Sequence, residues 1–451
     1  MDVGRPGALG LGKKRGASRV RSAAGHAVPA AMLLLAVLMA IFTEPGYAAD
    51  DHMKFVQKGR AESEQLWRRG FTLGDEALDA RLQGILDTLV AGTTNPPGVA
   101  LKVRVFRSPE NNAFALPDGS IYVFAGLLSQ LTSRDQLAFI LRHEAEHALG
   151  DHALKHLHSA NTKLGVLSAL SLVSSLAIGD ALVDALVQSG LGLTAAFSVN
   201  GYGRELEREA DRASAARLGP AGFDACGAAE ALEVLRRQEK QPGRVANTFW
   251  GSHPLLEDRI RDVRAVAQVR DCHFDSTRLS DTYAAIKWPM LKLSAGLWVA
   301  AREPIRAARA AEAYLARFPG DPDACISLGE AYALAAERDT AAAARSGTPG
   351  HASPDTLELA ASAFRRALDL GGPDYRPPLR GLARVAEQRR DTSACIGFLE
   401  RYLAGNAQVR DRRMLHTKLD TLRAHVPGGA PTATDSAGIS PAVKTPEQKE
   451  E

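Results

Sequence analysis

Leu137-Ala-Phe-Ile-Leu-Arg-His143-Glu144-Ala-Glu-His147-Ala-Leu-Gly150 decides the reading of this chain. Ser133 with Gln136 forms a capping-box signature ahead of it, the apolar residues recur at helical spacing, and Gly150 is a stop signal. On such a helix residues four apart stand one above the other, so His143 and His147 project from one face. Two imidazoles held this way suit a zinc ion, with Glu144 placed to act on water at an open coordination position. The alternative is an ordinary amphipathic helix with two surface histidines.

A catalytic zinc needs a third protein ligand. In metzincins that ligand is a histidine six residues after the second one; here position 153 is alanine and His152 falls one residue early. The ligand must therefore come from elsewhere, and the run Gly203-Arg-Glu205-Leu-Glu207-Arg-Glu209-Ala-Asp211 offers it. Glu207 and Asp211 lie four apart on one helical face, so one would bind metal and the other would orient a ligand histidine through its second ring nitrogen. Taken alone, the run is also what a solvated helix face looks like.

Between residues 51 and 131 the chain reads as two helical stretches broken at Pro96-Pro97, a strand over 100–106, a hairpin over 112–124 turning at Pro117-Asp118-Gly119, and a short helix over 127–131. The expected fold class is a mostly helical α+β zinc-peptidase domain of gluzincin type with a small β-sheet. The outer strand, Asn112-Ala113-Phe114, is placed to pair with an extended peptide by β-augmentation; plain scaffold is the alternative. Residues 164–202 are unusually apolar but interrupted by Asp180, Asp184 and several glycines. They read as a helical pair near the active site with peripheral membrane contact, against the alternative of two spans.

The ends bound the setting. Residues 1–48 read as a signal peptide: basic Lys13, Lys14, Arg15, Arg19 and Arg21, an apolar core over 30–42, and small residues around Ala48. An uncleaved anchor is the alternative. The formal charge of +3 owes to this leader, whose six Lys/Arg and two acidic residues leave 49 basic and 50 acidic residues in the remainder. Near-neutrality gives no electrostatic case for nucleic acid. Export makes disulfides available to Cys226, Cys272, Cys325 and Cys395; pairing within each half, 226 with 272 and 325 with 395, is the simplest of three arrangements, and four free thiols are also open.

Beyond residue 281 the chain turns alanine- and arginine-rich. Leu328-Gly329 with Tyr332, Ala360 with Phe364 and Ala367, and Tyr314 with Pro322 fit degenerate tetratricopeptide signatures. Residues 282–426 are thus expected to form an all-α helical repeat domain, with a non-repeat bundle as the alternative, and 427–451 a disordered tail.

His143-Glu-Ala-Glu-His147 with Glu207-Arg-Glu-Ala-Asp211 resembles the zinc peptidases related to HtpX and the CAAX prenyl proteases. Asn112-Ala-Phe-Ala-Leu-Pro-Asp-Gly, Gly126-Leu-Leu and Gly251-Ser-His253-Pro-Leu-Leu-Glu-Asp-Arg259-Ile are similar to its exported, BepA-like branch, in which tetratricopeptide repeats follow the peptidase. Asp118 stands where that family usually has glycine. The resemblance covers roughly residues 55–270 and implies one zinc per chain held by His143, His147 and Glu207, with Glu144 catalytic. It also implies that His253 matches a histidine that approaches the zinc and keeps the enzyme inactive; without it, His253 reads as a turn residue. Arg259 reads as a surface residue, or as a stabiliser of a developing oxyanion if it lies near the cleft. The implied function is degradation of unfolded or misassembled periplasmic and outer-membrane proteins, with the outer-membrane assembly machinery as a further partner. The competing reading is a chaperone or adaptor with a latent zinc site.

Overall fold

The computed structural model describes residues 49–160, 202–239, 256–269, 272, 279–345, 354–404 and 411–425. The chain divides into two compact units, Met1–Asp51 and His52–Glu451; the second carries everything that follows.

Helices α1 (Ala49–Arg68) and α2 (Glu76–Val90) precede a three-stranded sheet of β1 (Lys102–Phe106), β2 (Ala113–Ala115) and β3 (Ser120–Phe124), in the order β1-β3-β2. The hairpin expected over 112–124 is β2–β3, paired antiparallel, and β1 runs parallel to β3. Gly119 turns the hairpin at φ +90°, and a Cβ there would lie 2.7 Å from the Ala100 backbone, so glycine is required. Strand alternation gives the sheet two faces. Val103, Val105, Ala113, Ala115, Ile121 and Val123 join the main core, whereas Phe106, Phe114, Leu116, Tyr122 and Phe124 form a second, aromatic cluster with Leu66, Ala153 and Tyr202. The outer edge of β1 is closed by α2, whose Asp79 and Gln83 side chains accept from Val105 N and Val103 N.

After β3 come α3 (Ala125–Gln130), α4 (Arg134–Leu149), α5 (His152–Ala160), α6 (Arg204–Leu218), α7 (Cys226–Glu239) and α8 (Leu256–Val266). Helix α4 begins as its sequence predicts: the Ser133 hydroxyl accepts from Gln136 N. The Gln136 side chain reaches back one residue further than in a standard capping box, accepting from Thr132 N at 2.8 Å. Because α6 and α7 pack along it and the sheet backs it, α4 is buried on nearly every face. A Cys226–Cys272 disulfide ties α7 to the segment beyond α8. The pairing expected for the other half does not form: Cys325 and Cys395 are buried free thiols in separate apolar clusters, each enclosed by its own helix neighbours.

Helix α9 (Asp281–Ala300) packs on α3 and on the first two of the helices that follow, which are α10 (Pro304–Arg317), α11 (Pro322–Arg345), α12 (Pro354–Gly371), α13 (Pro377–Gln388), α14 (Thr392–Leu403) and α15 (Arg412–Ala424). Each of these packs against the next. Small residues set the spacing: the Phe364 ring fills a slot where a Cβ on Gly329 or Gly381 would approach to 2.7 or 2.3 Å. Among the described residues no helix is long and apolar enough to cross a membrane. The signal reading of 1–48, the apolar 164–201 stretch and the tail expected over 427–451 lie outside the described residues.

Candidate metal centre

Helix α4 supplies His143, Glu144 and His147, and α6 crosses it with Glu207 and Asp211. The two imidazole Nε2 atoms stand 3.0 Å apart. Glu207 Oε2 lies 3.4 Å from the first and Oε1 3.5 Å from the second. Three ligands about 2.0–2.1 Å from a tetrahedral zinc would themselves be about 3.3 Å apart, so the observed triangle has the dimensions such an ion requires.

Charge leads to the same conclusion. Glu144, Glu207 and Asp211 are each 1% exposed, and among the described residues the one cation buried with them is Arg259, at 2%. With neutral histidines this inner group carries an excess of two negative charges, which a divalent ion balances. Burial alone would push the His143 imidazole down, but hydrogen bonds and charge from Asp211 and Glu207 raise it to about 10. The surrounding carboxylates thus favour positive charge at this position.

Asp211 lies where the i, i+4 spacing places it, with Oδ1 3.1 Å from His143 Nδ1. That leaves Nε2 of His143 turned to the metal position, the usual division of labour between the two ring nitrogens of a ligand histidine. Burial tends to raise the Asp211 carboxyl, but Arg259 and His143 hold it below the ordinary range. Arg259 is not the surface residue expected, being 2% exposed. Its Nε and Nη2 donate to Asp211 at 2.6 and 2.8 Å, and its Nη1 is 3.4 Å from Glu207, so the guanidinium is turned to two carboxylates rather than to solvent. Arg259, Ile260 and Val263 share one stripe of α8, and it is this stripe that is buried, on a helix packed against α6 and α7, carrying the arginine inward.

Ala113 and Phe114 lie in the outer strand β2 and Asn112 just before it, and all three are at most 2% exposed. Their burial means that the structure does not display an open edge for an extended peptide at this strand. His253 lies outside the described residues.

Two neighbours of His147 have no counterpart in the sequence reading. Tyr202 stacks on its ring with centroids 3.8 Å apart, and His152 Nδ1 meets its Nδ1 at 2.9 Å. Burial pushes His152 down to about 4, so that ring is neutral. The visible signal was the Gly150-Asp151 turn followed at once by a histidine, noticed only as the wrong spacing for a third ligand.

Comparison with known proteins agrees with the geometry. The description of peptidase family M48 matches residues 76–267, which contain all the groups above. The mitochondrial metalloendopeptidase OMA1 of Schizosaccharomyces pombe is 29% identical over 194 residues, covering 42% of this chain and 55% of that protein. A putative beta-barrel assembly-enhancing protease of Vibrio cholerae is 27% identical over 226 residues, 48% of this chain and 46% of that protein. Metalloprotease LoiP of Escherichia coli is 30% identical over 171 residues, 38% of this chain and 64% of that protein. The chain thus spans about half the length of the curated relatives it matches. Its residues 76–267 are a metallopeptidase domain of peptidase family M48.

Proposed function

We propose that this protein is a zinc-dependent endopeptidase that degrades misfolded or misassembled proteins of the cell envelope, exported by its N-terminal segment. The observation that carries this reading is the convergence of His143, His147 and Glu207 into one buried triangle with Glu144 beside it in sequence. Bound there, zinc would supply Lewis acidity to a scissile carbonyl and acidify an attacking water. Glu144 would take the proton from that water and hand it to the leaving amine. Asp211 fixes the His143 ring, and Arg259 fixes Asp211 and Glu207. His253, by resemblance, is a removable inhibitory ligand, so His253→Ala should raise proteolysis; unchanged activity would remove that role.

The helical array from α10 to α15 is read as tetratricopeptide-like, binding substrate or an outer-membrane assembly machinery through a concave surface. The relative named as a beta-barrel assembly-enhancing protease supports the envelope setting. One observation favours a second reading, a chaperone or adaptor with a latent site: His143, Glu144, His147 and Glu207 are each only 1% exposed. Cleavage of casein by wild type and by Glu144→Gln, with zinc content measured on both, separates the two. The peptidase reading expects equal zinc and loss of cleavage in the variant; equal cleavage by both sinks it.

A further inference from the structure

His147 and His152 are joined by a device that the metal ligands alone do not explain. Helix α4 ends at Gly150 with φ −85°, a conformation open to any residue, so glycine is not there for backbone freedom. It is there for space: a Cβ at position 150 would lie 2.5 Å from Nε2 and 2.7 Å from Cδ2 of His152. The next residue, Asp151, takes the left-handed conformation at φ 50°, one that aspartate tolerates better than most side chains. Its carboxylate is held 3.0 Å from His52 Nδ1, and His52 Nε2 is 2.8 Å from the Pro97 carbonyl. This pinned turn starts α5 at once and folds the His152 ring back over Gly150, to within 2.9 Å of His147.

The roles of the two rings follow from hydrogen-bond logic. His147 Nε2 faces His143 and Glu207, the proposed metal position; with that nitrogen given to the metal, its Nδ1 would carry the ring proton. Two N–H groups cannot face each other at 2.9 Å, so His152 Nδ1 accepts and its own proton sits on Nε2. That nitrogen is 3.7 Å from Glu209 Oε2, beyond direct bonding distance and suited to a bridging water. Glu209 and its neighbour Lys155, 3.8 Å away, are both about half exposed. The two histidines of the centre are therefore supported differently: His143 by the anionic Asp211, His147 by a neutral imidazole.

Resting on the zinc reading above, we propose that His152 is a positioning residue that fixes the ring orientation and Nδ1–H tautomer of His147, with Gly150 and Asp151 as the turn that presents it. The test is zinc affinity by chelator competition on the full-length chain. His152→Ala should weaken zinc binding roughly 10–100-fold, the range for loss of such a partner. Gly150→Ala, which keeps the histidine but drives its ring away, should fall in the same range. His152→Asn carries an oxygen where Nδ1 stood and should restore most of the affinity. A purely packing role predicts the opposite order, with Asn no better than Ala and both losing thermal stability at wild-type zinc affinity; that result overturns the proposal. Should His152→Ala fail to fold, the ordering of Asn above Gly150→Ala decides it. Absence of zinc from the wild type would strike the metal-centre reading instead, so the two failures are distinct.

Discussion

Arg259 shows how much of the centre depends on one buried charge. It is 2% exposed and faces Asp211 and Glu207 at 2.6–3.4 Å. Removing it takes the guanidinium from two buried carboxylates, and breaking a buried pair in this way typically destabilises by about 3–5 kcal/mol. Arg259→Ala should accordingly lower the urea midpoint of the zinc-free protein, and added zinc should recover part of the loss by supplying positive charge to the same carboxylates. A midpoint equal to that of wild type would contradict this account. The contrast with Glu207 and Asp211 explains what sequence revealed at this scale. Those two were legible because a helix converts a separation of four into a shared face. Arg259 and His152 act across helices: one depends on which stripe of α8 is buried, the other on a turn that folds a ring backward. Neither relation has a fixed spacing, so charge made Arg259 look exposed and register made His152 look irrelevant.

At the scale of elements, the metal helix is held from behind by α9. Ser280 N donates to Thr132 O, Tyr283 Oη to Leu128 O, and Lys287 Nζ to the carbonyls of Ser129 and Leu131 at 2.7 and 3.1 Å. These are the C-terminal carbonyls of α3 and the residues leading into α4, groups a short helix leaves without internal partners. Burial pushes the Lys287 ammonium down to about 8, whereas an unfolded lysine titrates near 10.4. Between those values the unfolded chain keeps a proton that the folded one has released, so folding stability should rise as pH goes from about 8 to about 10.4. Lys287→Met should flatten that part of the profile; parallel urea-midpoint profiles for wild type and variant across pH 7.5–10 would refute it. In the helical array, Gly329→Ala would force a Cβ to 2.7 Å from the Phe364 ring. Overpacking of this kind costs about 1–3 kcal/mol. The expected result is a lower melting temperature with unchanged zinc content, and an unchanged melting temperature would show that the slot yields freely. The hairpin and the capped start of α4 were readable because turn residues and caps act locally. The clasp of α9 on α3 was not, because it joins residues more than 150 positions apart through backbone carbonyls that any sequence supplies.

For the whole molecule, the covalent tie and the proposed ion would do separate jobs. The Cys226–Cys272 disulfide spans 46 positions next to the helices that carry the centre, and closing a loop of that size is worth about 2–4 kcal/mol. Cys226→Ser should lower stability by that order, and thiol counting on the unreduced, unfolded wild type should find two thiols, from Cys325 and Cys395. Four thiols would exclude the bridge. The central claim, however, is that α4 and α6 together build a site for one divalent ion, and it is tested most directly by metal content. Wild type and Glu207→Ala, purified alike and dialysed against a weak chelator, are compared for bound zinc. Wild type should hold about one zinc per chain, the usual stoichiometry of such a site, and the variant far less than one. Equal zinc in the two proteins, or none in the wild type, would contradict that claim.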